Sequence, residues 1–208
     1  YDVSNKITCF YQGNLNIPSD PSSFEVDVKS LPCECDAIHY SEFYINQSSM
    51  IDVDEKILKS MTDLNKPVIV ALRRIEEYSG WSAILGENGN AYETNILCNF
   101  AKNHNIQGYD LIYLDPGSIE DVDRNVSKNI IPYIKQLKEF CPFLIIGANI
   151  IPNPKYLKNQ YIYNFEELNK VLTYFQIYAL ELNECNPKLY NGMTPITKSN
   201  TSDNHLYS

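Results

Sequence analysis

The stretch Gly108-Tyr-Asp-Leu-Ile-Tyr-Leu-Asp-Pro-Gly117 decides the fold class of this chain. Its apolar and aromatic residues predict a buried strand over Tyr109–Leu114, and the Asp-Pro-Gly that follows is typical of a turn. Successive side chains of a strand point to opposite faces of a sheet. We therefore expect Asp110, Ile112 and Leu114 to share one face.

Short apolar runs alternate with longer amphipathic segments along the rest of the chain. The predicted strands cover residues 7–11, 37–45, 67–72, 109–114, 143–146 and 172–179. The predicted helices cover residues 51–64, 91–104, 118–140 and 165–171, with Ser118 and Asn164 as the N-caps of the last two. Strand–helix alternation of this kind predicts a parallel α/β sheet or barrel.

The frame of the opening stretch resembles the fourth-strand motif of family 18 glycoside hydrolases, the chitinases. That motif usually reads Gly-Leu-Asp-Leu-Asp-Trp-Glu-Tyr-Pro-Gly, and the two align without a gap. The matching residues are Gly108, Asp110, Leu111, Pro116 and Gly117. The resemblance implies a TIM-barrel-like (β/α) fold.

The residues that carry the chemistry of the family are replaced. Leu114 stands where the family has its catalytic Glu, and Ile112 stands where it has the neighbouring Asp. A general acid must carry a titratable group, and leucine has none. Asp110 remains and is interpreted as a hydrogen-bonded structural residue. Asp115, which precedes a proline at the strand end, is interpreted as a turn residue.

Other segments resemble family landmarks in order. Residues 7–13 resemble the first strand and residues 35–41 the second, and in the family the cysteines at these places commonly pair, which implies a Cys9–Cys35 disulfide. The third strand usually ends in a glycine-rich floor, but Arg73 and Arg74 stand there, with Trp81 only after an insertion. In the sixth strand, the family's Met-Thr-Tyr-Asp aligns with residues 178–181, which places Leu180 and Glu181 at its Tyr and Asp.

The chain supplies about six strand units, whereas a full (β/α)₈ barrel takes about 250 residues. We expect one incomplete barrel domain over residues 1–195 and a flexible tail over residues 196–208. The first and sixth strands of an open barrel would expose their edges. The tail, a rearranged last segment or a second subunit in a homo-oligomer could cover them.

Candidate binding residues follow from the same alignment and are Tyr11, Arg73, Trp81 and Tyr178. Arg73 either fills the altered cleft and pairs with Asp110 or lies on the surface. Arg74 is predicted to be a surface cation near Glu76 and Glu77, where an ion pair contributes little.

Composition and charge argue against several other classes of function. The chain has 208 residues and a net charge of −9, so the basic stripe of a nucleic-acid interface is not expected, and neither is attraction to anionic membranes. No apolar run approaches the length of a membrane span. The histidines are scattered and Cys33-Glu-Cys35 is not zinc spacing, so we expect neither a metal site nor a cofactor.

Three features predict an extracellular protein. The six cysteines suit three disulfides, for which fifteen pairings exist. N-glycosylation sequons begin at Asn46, Asn125 and Asn200. The chain begins at Tyr1 without a Met, as a processed secreted protein would, although a recombinant fragment would begin the same way.

Three functional hypotheses remain. The first is a secreted, catalytically inactive chitinase-like protein that binds an unknown protein partner or glycan as a signalling molecule or effector. The second is a lectin for chitin oligomers, because aromatic faces can stack on sugar rings, although the sixteen tyrosines also suit half-buried strand positions. The third is a residual glycosidase that uses Asp115 and Glu181.

Overall fold

The computed structural model describes residues 2–13, 26–86 and 92–178. Six strands form a parallel sheet in the order β1-β2-β4-β5-β6-β7, and β3 pairs antiparallel with β2. The strands are β1 (Thr8–Tyr11), β2 (Ala37–Ile45), β3 (Ile51–Val53), β4 (Val68–Arg74), β5 (Gly108–Leu111), β6 (Ile145–Ile150) and β7 (Tyr174–Ile177).

Helices connect the parallel strands and cover one face of the sheet. They are α1 (Glu55–Thr62), α2 (Glu77–Leu85), α3 (Tyr92–His104), α4 (Arg124–Phe140), α5 (Pro154–Leu157) and α6 (Phe165–Val171). Alternate strand residues such as Val68, Val70 and Leu72 pack with apolar helix residues in one contiguous core. The strand residues between them, such as Ile69 and Ala71, point to the opposite, inner face.

The sheet curls into a half-barrel with helices outside, so the predicted fold class, an incomplete TIM barrel of about six strand units, is confirmed. Sequential parallel strands lie side by side because each helix returns the chain to the same end of the sheet. The predicted bounds of β2 and α6 are also confirmed.

The predicted helix over residues 51–64 is wrong in its first third. Residues 51–53 form β3, which pairs with the end of β2 across a hairpin turn. The helix begins only after Asp54, whose Oδ1 accepts hydrogen bonds from the backbone N–H of Lys56 at 2.9 Å and Ile57 at 3.1 Å. An apolar residue pattern alone does not distinguish a short hairpin strand from the first turn of a helix.

The predicted helix over residues 118–140 is divided in two. Ser118 caps a 3₁₀ turn over Ile119–Asp121, the chain is then extended at Val122, and α4 begins after its own N-cap, Asp123. The periodicity of this segment predicts a buried apolar stripe at Val122, Val126, Ile130, Ile134 and Leu137. The last four are buried in α4, whereas Val122 precedes the helix and is partly buried. Helices α2 and α5 were not predicted, and α2 begins without a side-chain cap.

The strand bounds on the second half of the sheet also differ from prediction. β5 ends at Leu111, three residues before the predicted end, because Tyr113 has a left-handed backbone with φ of 60°. β6 runs over Ile145–Ile150 rather than 143–146, and β7 is shorter than the predicted 172–179.

Two disulfides join described cysteines. The predicted Cys9–Cys35 bond is confirmed, and it ties β1 to the start of β2. The second, Cys98–Cys141, ties α3 to the end of α4. Cys33 is exposed and unpaired among the described residues.

Both edge strands of the half-barrel carry exposed apolar side chains. Phe10 on β1 is 54% exposed and Ile177 on β7 is 62% exposed. The predicted domain over residues 1–195 and tail over residues 196–208 stay predictions, because residues 179–208 lie outside the described part. No helix within the described ranges is long and apolar enough to span a membrane.

Candidate functional site

The inner face of the half-barrel holds Asp110, the acid of the opening stretch that matches the chitinase motif, and strand register identifies its neighbours. Asp110 on β5 lies between Ala71 on β4 and Gly147 on β6, and Gly147 is paired in turn with Tyr174 on β7. We call these four residues the Asp110 row. Their side chains share the inner face because paired residues of neighbouring strands point the same way.

Asp110 is fully buried, and neither carboxylate oxygen forms a hydrogen bond of normal geometry with a described residue. Burial raises the pKa of Asp110 to about 7, and the nearby Tyr174 hydroxyl opposes that rise. A buried carboxylate without partners is costly, so the carboxyl holds its proton to near-neutral pH. The described residues therefore do not supply the hydrogen bonds that the predicted structural role of Asp110 requires.

The ring of Tyr174 reaches Asp110 across Gly147. A Cβ atom at position 147 would lie 2.2 Å from Cζ and 2.6 Å from the hydroxyl of Tyr174. Only a glycine leaves room for the ring at that point of the sheet. Gly147 on β6 therefore allows the ring of Tyr174 to lie beside the carboxyl group of Asp110.

Aromatic side chains continue the inner face toward β1. His39 lies edge-on to Tyr174, with ring centroids 6.2 Å apart, and Phe10 stacks on His39 at 5.1 Å. Burial lowers the pKa of His39 to about 4, so its imidazole is neutral at physiological pH. Phe10 leaves this aromatic series partly open to solvent.

Several buried polar atoms of the inner face lack hydrogen-bond partners among the described residues. Native proteins pair nearly all such atoms with protein or ordered water. The atoms are His39 Nδ1, Arg73 Nε, both Asp110 carboxylate oxygens, the Tyr174 hydroxyl and Gln176 Oε1. Their concentration on one face marks it as the polar interior of the half-barrel.

A second group of polar and aromatic side chains lies where the strands end. The Arg73 guanidinium lies over the ring of Tyr113, 5.7 Å from its centroid. Tyr44, paired with Arg73 across β2 and β4, donates a hydrogen bond from its hydroxyl to Glu42 Oε2 at 2.9 Å. We call Glu42, Tyr44, Arg73 and Tyr113 the rim cluster, and all four are partly exposed.

Backbone strain coincides with the rim cluster. Tyr113 is a bulky residue in the left-handed region, which disfavours side chains with a Cβ. Such strain costs on the order of 1–3 kcal/mol and concentrates at binding and catalytic sites. The C-terminal ends of the strands are also where TIM barrels place their sites.

Ile112 and Leu114 are both buried, with 8% and 3% of their surfaces exposed. Leu114 belongs to the contiguous sheet–helix core with Tyr109 and Leu111, whereas Ile112 is not part of that cluster. The left-handed turn at Tyr113 interrupts the strand alternation on which a shared face with Asp110 was expected.

Asp115 is buried and held by a tyrosine. Its Oδ1 accepts a hydrogen bond from the Tyr163 hydroxyl at 3.0 Å, and that hydroxyl accepts one from the Ile151 N–H at 3.2 Å. Burial raises the pKa of Asp115, and the Tyr163 hydrogen bond opposes the rise. Glu181, its proposed partner in a residual glycosidase, lies outside the described residues.

Two of the four predicted binding residues are buried. Trp81 is fully buried and donates from Nε1 to the carbonyl of Ile112 at 2.7 Å. Tyr11 is 5% exposed and its hydroxyl donates to the carbonyl of Val26 at 2.7 Å. Neither can contact a ligand on an open surface, so these two predictions are wrong; Arg73 is partly exposed and Tyr178 is exposed.

The predictions for the two arginines also need correction. Arg73 forms no ion pair with Asp110 and lies instead over Tyr113. Arg74 is buried rather than on the surface, and it pairs with Glu93 on α3 rather than with Glu76 or Glu77. Because residue 74 falls on the helix-facing side of β4, the Arg74 guanidinium lies in the core.

Glu93 is the residue that sequence reasoning missed. Besides Arg74, it accepts hydrogen bonds from the Tyr133 hydroxyl at 2.5 Å and the Ser49 hydroxyl at 3.1 Å. The Arg74 guanidinium also lies 4.6 Å from the centroid of the Trp81 ring. This buried polar cluster joins β4, α2, α3, α4 and the β2–β3 turn.

Comparison with known proteins supports the fold and no more. No protein-family model matches the chain, and no curated protein matches its sequence. A chitinase from Rhizomucor miehei superposes with a TM-score of 0.63 at 15% identity over 86% of this chain and 58% of that chain. The chitinase ChiW from Paenibacillus sp. FPU-7 gives a TM-score of 0.69 at 15% identity over 95% of this chain and 27% of that one.

The spore cortex-lytic enzyme SleL of Bacillus cereus also superposes, with a TM-score of 0.61 at 10% identity over 85% of this chain and 41% of that chain. The chain therefore has a chitinase-like fold and spans about half or less of the length of these structures. The same fold supports different activities, so function has to be argued from the residues.

We expect the Asp110→Asn variant to be more stable than wild type above pH 7 and to lose that advantage on acidification. The folded pKa of about 7 exceeds the ordinary 3.8, so the folded state holds the proton more tightly. As the pH rises from about 4 to 7, wild type therefore loses a few kcal/mol of stability, because the buried carboxyl group becomes charged. The asparagine variant lacks this loss. Urea unfolding at pH 5 and pH 8 measures this, with the exposed Asp52→Asn as control; equal pH dependence in Asp110→Asn and wild type would contradict it.

Proposed function

We propose that this chain is a secreted, catalytically inactive chitinase-like protein that acts by binding a partner outside the cell. The observation that carries the proposal is Leu114, a buried aliphatic residue at the position where the resemblance expects the proton donor. Ile112 at the neighbouring carboxylate position is buried as well. Neither side chain can donate a proton to a leaving group.

The remaining acids support inactivity. Asp110 lies on the inner face with no exposed surface, so it cannot touch a sugar without rearrangement of the sheet. Asp115 is held by Tyr163, which occupies one of its oxygens. A residual glycosidase that uses Asp115 would have to break that hydrogen bond.

Secretion is supported by the two disulfides. Cys9–Cys35 and Cys98–Cys141 each join segments distant in sequence. Structural disulfides persist in oxidising compartments and are rare in the cytosol. The surface acidity of the chain, with a net charge of −9, favours a solution partner over nucleic acid or anionic membrane.

Binding through the rim cluster is the best-supported mode of action. It combines a cation, two tyrosine rings and a carboxylate at the strand ends, beside a strained backbone at Tyr113. Protein pockets use such a small number of polar groups among aromatic ones to orient ligands.

A lectin is the second candidate function, and one observation favours it. The exposed ring of Phe10 and the partly exposed rings of Tyr44 and Tyr113 can present flat faces to sugar rings. A homo-oligomer that covers the β1 and β7 edges remains a further proposal, supported by the exposed Phe10 and Ile177.

Calorimetric titration with chitin oligosaccharides, followed by chromatography of the recovered sugar, tests the proposal. Binding that Arg73→Ala weakens at least tenfold, but the exposed Lys59→Ala does not, would support the lectin. The absence of heat would point to a protein partner. In either case we expect the sugar to be recovered intact, and shortened products would contradict inactivity.

A further inference from the structure

The turn between β2 and β3 is organised by the side chain of Asn46. Its Oδ1 accepts hydrogen bonds from the backbone N–H of Ser48 at 2.9 Å and of Met50 at 3.0 Å. The Asn46 carbonyl accepts from the Ser49 N–H at 3.0 Å and from Arg74 Nη1 at 3.4 Å. Asn46 is therefore fixed in position by the ladder of the hairpin and by the buried arginine.

The amide nitrogen of Asn46 is left available by this arrangement. Within the described residues, Nδ2 donates no hydrogen bond, while the next two residues, Gln47 and Ser48, are exposed. Replacement of one Nδ2 hydrogen leaves both lone pairs of Oδ1 in place, so the turn can keep its two bonds. The hairpin can thus carry a bulky group without loss of its own structure.

The sequon at Asn125 differs in the two residues that follow the asparagine. It lies in the first turn of α4, where Val126 is 2% exposed and Ser127 is 8% exposed. The Ser127 hydroxyl donates to the carbonyl of Arg124 at 3.3 Å, inside the helix. The serine of this sequon therefore lies within a helix and against the core, whereas Gln47 and Ser48 of the Asn46 sequon are exposed. The third sequon, at Asn200, lies outside the described residues.

We propose that Asn46 carries an N-linked glycan and that Asn125 does not. In the transfer step, Asn46 Nδ2 forms a bond to the anomeric carbon of a lipid-pyrophosphate-linked oligosaccharide, the bond from that carbon to the pyrophosphate oxygen breaks, and Nδ2 loses a proton. No electrons are exchanged. The inference depends on the extracellular location in the proposed function, because the donor is met on the secretory route.

The position of Asn46 determines where the glycan lies. Asn46 directly follows the last residue of β2, so the glycan projects from the same end of the sheet as the rim cluster. Arg74, on the helix side of that end, donates to the backbone carbonyl of Asn46, whereas Arg73 lies on the inner side. The attachment point of the glycan is therefore close to the rim cluster.

Secretion of the chain from eukaryotic cells behind a supplied signal peptide tests the site. All variants contain Ser202→Ala, which removes the third sequon. Ser48→Ala removes the Asn46 sequon but keeps the asparagine and its turn, Ser48→Thr preserves the sequon, and Ser127→Ala removes the Asn125 sequon. Amidase release of glycans converts a modified asparagine to aspartate, which peptide mass spectrometry locates.

We expect conversion at Asn46 in the parent, in Ser48→Thr and in Ser127→Ala, and none in Ser48→Ala. An unmodified Asn46 in the secreted parent, or conversion at Asn125 that Ser127→Ala abolishes, would overturn the inference. Because the signal peptide is supplied, these outcomes do not depend on whether the protein binds or cleaves sugar. The proposed function is tested separately, by the calorimetric titration with chitin oligosaccharides.

Discussion

Replacement of Glu93 by glutamine is expected to lower the free energy of unfolding by about 3–5 kcal/mol. Glu93 and Arg74 are both fully buried, and their ion pair sits among the Tyr133 and Ser49 hydroxyls and the Trp81 ring. The glutamine variant keeps the size and one acceptor but leaves the guanidinium in the core without a counter-charge. Urea unfolding at neutral pH measures the loss.

The exposed Glu139→Gln on α4 serves as the matched control, with an expected change within about 0.5 kcal/mol. A double variant, Arg74→Met with Glu93→Gln, should be less destabilised than the sum of the single changes, because no unpaired charge remains. If Glu93→Gln were no more destabilising than the control, Glu93 would not be a buried partner of Arg74.

The second large effect is expected at Gly147. Replacement by alanine would place a Cβ atom 2.2 Å from Cζ and 2.4 Å from Cε2 of Tyr174. The ring has to move from its place beside Asp110, and we expect a loss of about 3 kcal/mol, at the upper end of overpacking effects. Thermal or urea unfolding of the variant measures it.

Two further variants show whether the contact itself is responsible. At Gly117 an added Cβ meets nothing within 4 Å, so Gly117→Ala should change stability by no more than about 0.5 kcal/mol. Tyr174→Ser removes the ring, so alanine at position 147 should cost much less in that background. An undiminished cost there would mean that another neighbour opposes the side chain.

Local patterns predicted much of the fold. The aromatic residues of β2 predicted both of its ends, and the Asn164 cap predicted the start of α6. The buried stripe of α4 followed from its 3.6-residue periodicity, even though its start did not. These features depend on neighbours within one or two turns of the chain.

The site depended on contacts that no local pattern contains. Arg74 and Glu93 are nineteen positions apart and meet only once α3 packs on the sheet. The contact between Gly147 and Tyr174 depends on strand register across β6 and β7. The left-handed backbone of Tyr113 interrupts the strand alternation. The resemblance to the chitinase motif could not predict this conformation, because it compares residue types and not backbone angles.

We propose that this chain has the chitinase-like fold without a proton donor at position 114. The inner face retains Asp110, while buried aliphatic chains occupy the two other carboxylate positions of the motif. The superposable chitinases share the fold at 15% identity, a level that leaves activity to be decided by the residues of this chain.

The most direct measurement is turnover of chitin oligosaccharides by the purified protein from pH 3 to pH 9, with an active chitinase as a positive control. We predict no product above the buffer blank at any pH, because no titratable side chain stands at position 114. Hydrolysis that the wild type performs and Asp115→Asn abolishes would contradict the claim.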